Sequence, residues 1–271
     1  MSAAALVNGA APDAAHAIAL DDRGLNYGDG LFETARVRDG QVPLLEDHLE
    51  RLRGGCARLG IPMPDADVLR GEIARVIGAA RDGVLKIVVT RGAGGRGYRP
   101  AADLAPTRIV ALHPLPVPDA AEGIVLRWCT TRLARNPALA GLKTLNRLEQ
   151  VLAQAEWHES QIAEGLMLDT EGELVSATAA NVFIVRQGVL VTPDLRFCGI
   201  RGVMRARVLR AAEALGLAVS EEPLWPDDVD AASEVFLTNA VRGIRPVAAL
   251  EQLRWPAPGP FAGRIAAALD A

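Results

Sequence analysis

The 271-residue chain carries 29 basic and 33 acidic side chains, a net charge of −4, with half its residues hydrophobic and 23% charged. Those values suit one large or two modest globular domains, while the scattered basic residues exclude a nucleic-acid surface and the broken apolar stretches exclude a membrane-spanning helix. Cys56, Cys129 and Cys198 are far apart and odd in number, which points to core thiols in a reducing, cytoplasmic compartment, and His16, His48, His113 and His158 lack metal-ligand spacing.

No basic start precedes the first apolar residues, so no signal peptide is expected. Leu31 to Val37 alternates, turns at Asp39-Gly40 and returns through Val42, the pattern of a hairpin. Leu45, Leu49, Leu52, Cys56 and Leu59 then recur at helical spacing up to a stop at Gly60. Gly54-Gly55 inside that helix costs about 1 kcal/mol per glycine relative to alanine. A second helix is expected over 66–77, and 84–90 and 107–112 read as buried strands. The stretch His113 to Ala120, HPLPVPDA, concentrates prolines that fix the backbone and remove donors. It reads as a linker, leaving 1–112 as a small N-terminal domain and 121–271 as a larger one. Beyond it, Ile124 to Cys129 is an expected strand, and Leu145, Leu148, Val151, Leu152 and Ala155 mark one face of an expected helix. Two hairpins should turn near Glu171-Gly172 and Gln187-Gly188, followed by a helix over Gly202 to Leu215 and a strand over Glu234 to Thr238.

Among the candidates for chemistry, the lysines stand out by scarcity. The chain has 27 arginines and only Lys86 and Lys143 as lysines. Arginine stays protonated and forms no imine, whereas lysine can lose its proton and attack a carbonyl. Lys86 falls mid-strand, where a snorkelling role is natural. Lys143, in RNPALAGLKTLNRLEQ (Arg135 to Gln150), falls where an irregular loop should give way to a helix, a position suited either to reaching into a cleft or to simple solvation. The glycine-rich RGAGGRGYRP (Arg91 to Pro100) matches neither a P-loop nor a dinucleotide fingerprint. It is either a flexible surface loop or a loop whose Arg96, Tyr98 and Arg99 meet an anionic substrate. CGIRGVMR (Cys198 to Arg205) leads into a helix whose free N–H groups attract phosphate.

RNPALAGLKTLNRLEQ, GVLKIVVTRGAGGRGY (Gly83 to Tyr98) and DRGLNYGDGLFETARV (Asp22 to Val37) together resemble the aminodeoxychorismate lyases. These belong to the fold-type IV pyridoxal-phosphate enzymes, alongside branched-chain and D-amino-acid aminotransferases, and the resemblance runs from about residue 20 to about residue 250. It implies an α+β, two-domain homodimer: a small α/β N-terminal domain, a larger β-rich C-terminal domain with helices, and the cofactor in the interdomain cleft. The implied activity is conversion of 4-amino-4-deoxychorismate to 4-aminobenzoate and pyruvate in folate biosynthesis. Lys143 would form the Schiff base and then transfer the proton. Arg51, one of several arginines on its helix, would bind the cofactor phosphate with Ile200, Arg201, Asn239 and Ala240. Tyr27, which also fits a packing role, would line the substrate site with Arg96, Tyr98, Arg99 and Arg147.

One position departs from the family pattern. Relatives place a glutamate against the pyridine nitrogen five residues before the Asn of an NxF segment, here Asn181-Val182-Phe183, and this chain has Ser176. Serine can hydrogen-bond the nitrogen but supplies no compensating charge. Glu173, three residues earlier on an extended strand, should point the opposite way unless a bulge intervenes. Ser176 thus favours the lyase, whose product gains aromaticity, over an aminotransferase of the same fold, while in a second alternative, a cofactor-binding protein without catalysis, Ser176 would mark the lost activity.

Overall fold

The computed structural model describes residues 4–13 and 17–270. Residues 1–3, 14–16 and 271 lie outside it, including His16 and part of the N-terminal stretch in which no signal peptide is expected. The chain forms two compact units: Met1–Pro116 with Lys143–Asn146, and Val117–Leu142 with Arg147–Ala271.

The first unit contains β1 (Ala5–Val7), α1 (Arg23–Tyr27), β2 (Gly30–Val37), α2 (Leu45–Leu59), α3 (Ala66–Ile77), β3 (Gly83–Thr90) and β4 (Thr107–His113). Its antiparallel sheet has the order β1-β4-β3-β2. Alternation along β2 buries Leu31, Glu33, Ala35 and Val37 and leaves Phe32, Thr34 and Arg36 half-buried on the other face. Helix α2 packs on β2, burying Leu49, Leu52 and Cys56, and Gly60 closes it in the left-handed conformation. Gly55 gives α2 a close approach there, because a Cβ would come within 2.7 Å of Leu31 Cδ1 and force that side chain to shift. The expected return strand after Asp39-Gly40 reduces to one bridge, Arg38 with Gln41, since β2 pairs along its length with β3. Eight register pairs with β3 outweigh any local hairpin.

The second unit contains β5 (Ile124–Trp128), α4 (Leu148–Gln154), β6 (Ile162–Leu168), β7 (Leu174–Ala177), β8 (Asn181–Arg186), β9 (Val189–Pro193), α5 (Val203–Ala214), β10 (Val219–Glu222), α6 (Pro226–Asp230), β11 (Glu234–Asn239), β12 (Gly243–Leu250), β13 (Leu253–Arg254) and α7 (Pro260–Asp270). The mixed sheet runs β10-β9-β8-β11-β12-β5-β6-β7, with β13 on β12. Residues 178–180 turn β7 into β8, so the sheet curls back towards itself. On one face Phe183 and Phe236 are register partners and stack at 5.0 Å, fully buried among Val208, Ala212, Ala262 and Ile265. Cys56, Cys129 and Cys198 are buried free thiols, and burial pushes them up to about 11, 12 and 12, outside nucleophilic range.

Truncating the stacked pair should show how much of the second unit rests on it. Phe236→Ala is expected to lose about 3–5 kcal/mol of stability by urea titration. A loss below about 1 kcal/mol would mean that the covering helices re-pack over the void.

Candidate active site

Lys143 is not at a helix start. Helix α4 begins five residues later, and Lys143–Asn146 instead runs along the outer edge of β2. Phe32 N–H donates to the Lys143 carbonyl at 3.0 Å, Leu145 N–H donates to the Gly30 carbonyl at 3.0 Å, and Thr144 bridges Leu31. An edge strand presents unpaired donors and acceptors, and these contacts outcompete extension of the helix towards Lys143. Leu145 therefore falls outside the helix, and the face expected to pack is open: Leu148, Val151 and Leu152 are 77%, 60% and 60% exposed. Lys143 itself is half-buried, its Nζ 4.2 Å from the centre of the Phe32 ring. Lys86, on β3, lies 5.7 Å from the same ring and is exposed.

The next residue of β2 holds Arg51. Glu33 accepts from Arg51 Nε at 2.8 Å and also from its Nη2, while His48 Nδ1 donates to Glu33 at 2.6 Å. Burial raises the Glu33 carboxyl, but hydrogen bonds and charge from Arg51, then His48, outweigh it and hold Glu33 below the usual range. Neighbouring positions on one strand thus place both the candidate amine and the candidate phosphate arginine. The inward-facing Glu33 and His48 were not singled out from the sequence.

The glycine-rich segment is irregular but clamped. Arg23, 3% exposed, donates to the carbonyls of Gly97 and Tyr98 at 2.8 Å each and to Asp29 at 2.9 Å. Its guanidinium sits 4.8 Å from the Tyr27 ring centre, and Tyr27 in turn accepts from Gly97 N–H and meets Tyr98 edge-on at 5.6 Å. Gly92 lets the loop leave β3: its φ is +94°, and a Cβ would lie 1.9 Å from the Ala105 carbonyl oxygen. Arg96, Tyr98 and Arg99 project as exposed side chains from this held backbone. Arg23 was legible only as part of a quoted motif.

In the second unit, Ile200 and Arg201 precede α5, whose N-cap, Gly202, has no side chain to occupy the first amides. The loop is fixed from two sides. Asn181 Nδ2 donates to the Ile200 carbonyl at 2.8 Å, and Gly141 exchanges backbone bonds with Gly199 and Arg201 at 2.9 and 3.1 Å. A Cβ on Gly202 would strike Asn181 Oδ1 at 2.1 Å. Asn239 closes the turn after β11 by accepting from Val241 and Arg242 amides, with Ala240 next to it. Beside it, Thr238 Oγ1 is buried with no hydrogen-bond partner among the described residues. Arg147 is half-buried, and burial lowers its pKa although Glu149 opposes the shift.

Ser176 is half-buried and pairs with Met167 of β6. The bulge that could redirect Glu173 exists, since Met167 faces Ser176 and Leu168 faces Leu174. Glu173 is nonetheless engaged elsewhere, in ion pairs with Arg135 at 2.9 Å and Arg196 at 3.0 Å.

The chain is similar to known proteins over most of its length. The amino-transferase class IV family profile matches residues 30–250. The crystal structure of 4-amino-4-deoxychorismate lyase from Pseudomonas aeruginosa superposes with a TM-score of 0.92 at 46% identity, covering 98% of this chain and 97% of that one. Aminodeoxychorismate lyase of Vibrio harveyi is 35% identical over 237 residues, 86% of this chain and 87% of its own. A Methanocaldococcus jannaschii protein provisionally named a branched-chain-amino-acid aminotransferase is 35% identical over 242 residues, 85% and 81% of the two chains.

If Arg23 clamps the loop, Arg23→Gln should free it with little change elsewhere. Limited trypsin digestion is expected to cut after Arg96 roughly tenfold faster than in the parent, because local opening controls cleavage. Unchanged digestion would show the loop is held by its other contacts.

Proposed function

Because the chain belongs to the amino-transferase class IV family, whose members depend on pyridoxal phosphate, we propose that it is a lyase releasing pyruvate from 4-amino-4-deoxychorismate and leaving 4-aminobenzoate. The observation that carries the reading is the pairing of Lys143 and Arg51 to consecutive residues of β2. The residues suit the cofactor. A half-buried amine is available for its aldehyde, and Arg51 and the capless start of α5 with Ile200 and Arg201 suit its phosphate. A Cβ on Gly202 would strike Asn181, which holds this loop. Asn239 and Ala240 complete the phosphate set, with the buried Thr238 hydroxyl beside them. When bound, the cofactor supplies an aldehyde that condenses with amines and a conjugated ring that accepts electron density.

Lys143 Nζ then takes the proton from C4 of the substrate ring. The enolpyruvyl group leaves from C3 and gains a proton to become pyruvate, and the ring becomes aromatic. Arg96, Arg99 and Arg147 are the cations for the substrate carboxylates, and Tyr27 and Tyr98 line its path. Ser176 would offer the pyridine nitrogen a hydrogen bond without charge, which would leave the ring a weaker electron sink. Aromatisation tolerates that weakness, whereas transamination depends on the sink. The competing reading, an aminotransferase, draws on Tyr27 and on the archaeal relative.

The exposed Leu148, Val151 and Leu152 form one apolar stripe on α4, which supports a homodimer covering it. The division into 1–112, a linker at 113–120 and 121–271 is retained as our domain reading. No helix among the described residues is long and apolar enough to cross a membrane, and the free thiols support a cytoplasmic location.

Lys143→Ala is expected to abolish both imine absorbance and pyruvate release, and Lys86→Arg to leave both largely intact. The reverse outcome would reassign the amine, and faster transamination of D-alanine or a branched-chain amino acid than pyruvate release would reassign the reaction. Leu152→Glu should shift the protein from dimer to monomer in sedimentation, and an unshifted dimer would place the interface elsewhere.

A further inference from the structure

The buried face of β2 carries one charged side chain, and its burial needs a reason. Glu33 is 1% exposed and His48 0% exposed, between β2 and α2. A carboxylate can only accept, so His48 Nδ1 must carry the hydrogen in its 2.6 Å contact with Glu33. His48 Nε2 is buried and has no hydrogen-bond partner among the described residues, so the imidazole is committed to Glu33. Glu33 in turn grips Arg51 through Nε and Nη2, along one edge of the guanidinium. As a device for stability this arrangement is poor, because well-packed apolar side chains serve a helix–sheet layer as well or better. Its effect is geometric. It anchors a long, rotamer-rich side chain by two of its five donors and fixes the plane of its fork.

We propose that Glu33, oriented by His48, is a positioning residue that presets Arg51 for the phosphate of the cofactor. The inference rests on Arg51 being a phosphate ligand. It also makes a choice between opposed effects. The negative charge of Glu33 repels a phosphate dianion, while its grip removes the entropy lost in ordering Arg51. Preorganisation is the larger effect if removing the charge weakens phosphate binding, and the smaller if removal strengthens it.

The test uses full-length apo-protein and two probes, pyridoxal phosphate and pyridoxal, which lacks the phosphate. Equilibrium affinities from tryptophan fluorescence give their ratio for the parent, Glu33→Gln, Arg51→Gln and the double variant. Each single substitution is expected to lower pyridoxal phosphate affinity about tenfold while leaving pyridoxal unchanged, and Glu33→Gln should add little in the Arg51→Gln background. A purely structural role for Glu33 would weaken both probes alike and overturn the inference. An unchanged ratio in Arg51→Gln would remove the phosphate assignment and the inference with it. A lowered ratio in Arg51→Gln with an unchanged or raised one in Glu33→Gln would overturn the Glu33 role alone. Should Glu33→Gln fail to fold, Arg51→Lys decides, since lysine keeps the charge but cannot be held by the fork. A ratio as low as in Arg51→Gln supports the inference, and a parental ratio overturns it.

Discussion

The outer edge of β2 is the constraint around which the first unit is organised. A strand edge must satisfy its amides and carbonyls, and here Lys143–Leu145 does so through Gly30, Leu31 and Phe32. That demand fixes the backbone of Lys143 without using its side chain. Strand alternation then sends Phe32 towards the lysine and Glu33 towards α2. Consecutive residues of one extended stretch thereby touch two candidate groups from its opposite faces.

The second unit fixes its loop before α5 by a different route. The cradle consists of backbone, so its geometry depends on what holds the backbone still. Asn181 and Gly141 do this from two directions, and Gly202 is the residue type that leaves room for Asn181. Side-chain identity matters less in the cradle itself than in the residue behind it.

Most regular elements were legible because their apolar periodicity agrees with their burial. Helices over 45–59 and 66–77 and the strands at 83–90 and 107–113 follow the expected bounds closely. The failures share a cause in long-range pairing. The hairpin after Val37 was displaced by β3, and the helix expected to reach back to Leu145 was shortened because its first residues pair with β2. Neither competitor is adjacent in sequence, so local pattern could not reveal it. Lys143 became a candidate through lysine scarcity and its motif, Arg51 only through the resemblance. Glu33 carried a readable signal, a charge in the inward register of LFETARV, whereas Arg23 and Asn181 act on backbone atoms that no sequence pattern displays.

The glycine-rich loop separates holding from reading. Arg23 and Tyr27 grip its main-chain atoms and Tyr27 also meets the Tyr98 ring, while Arg96 and Arg99 stand outside that grip. Exchanging the outer side chains therefore leaves the clasp untouched. Under the proposed function, the acids that such a loop accepts can vary without re-engineering the sheet beneath it, a route by which one scaffold diversifies into enzymes of different appetite.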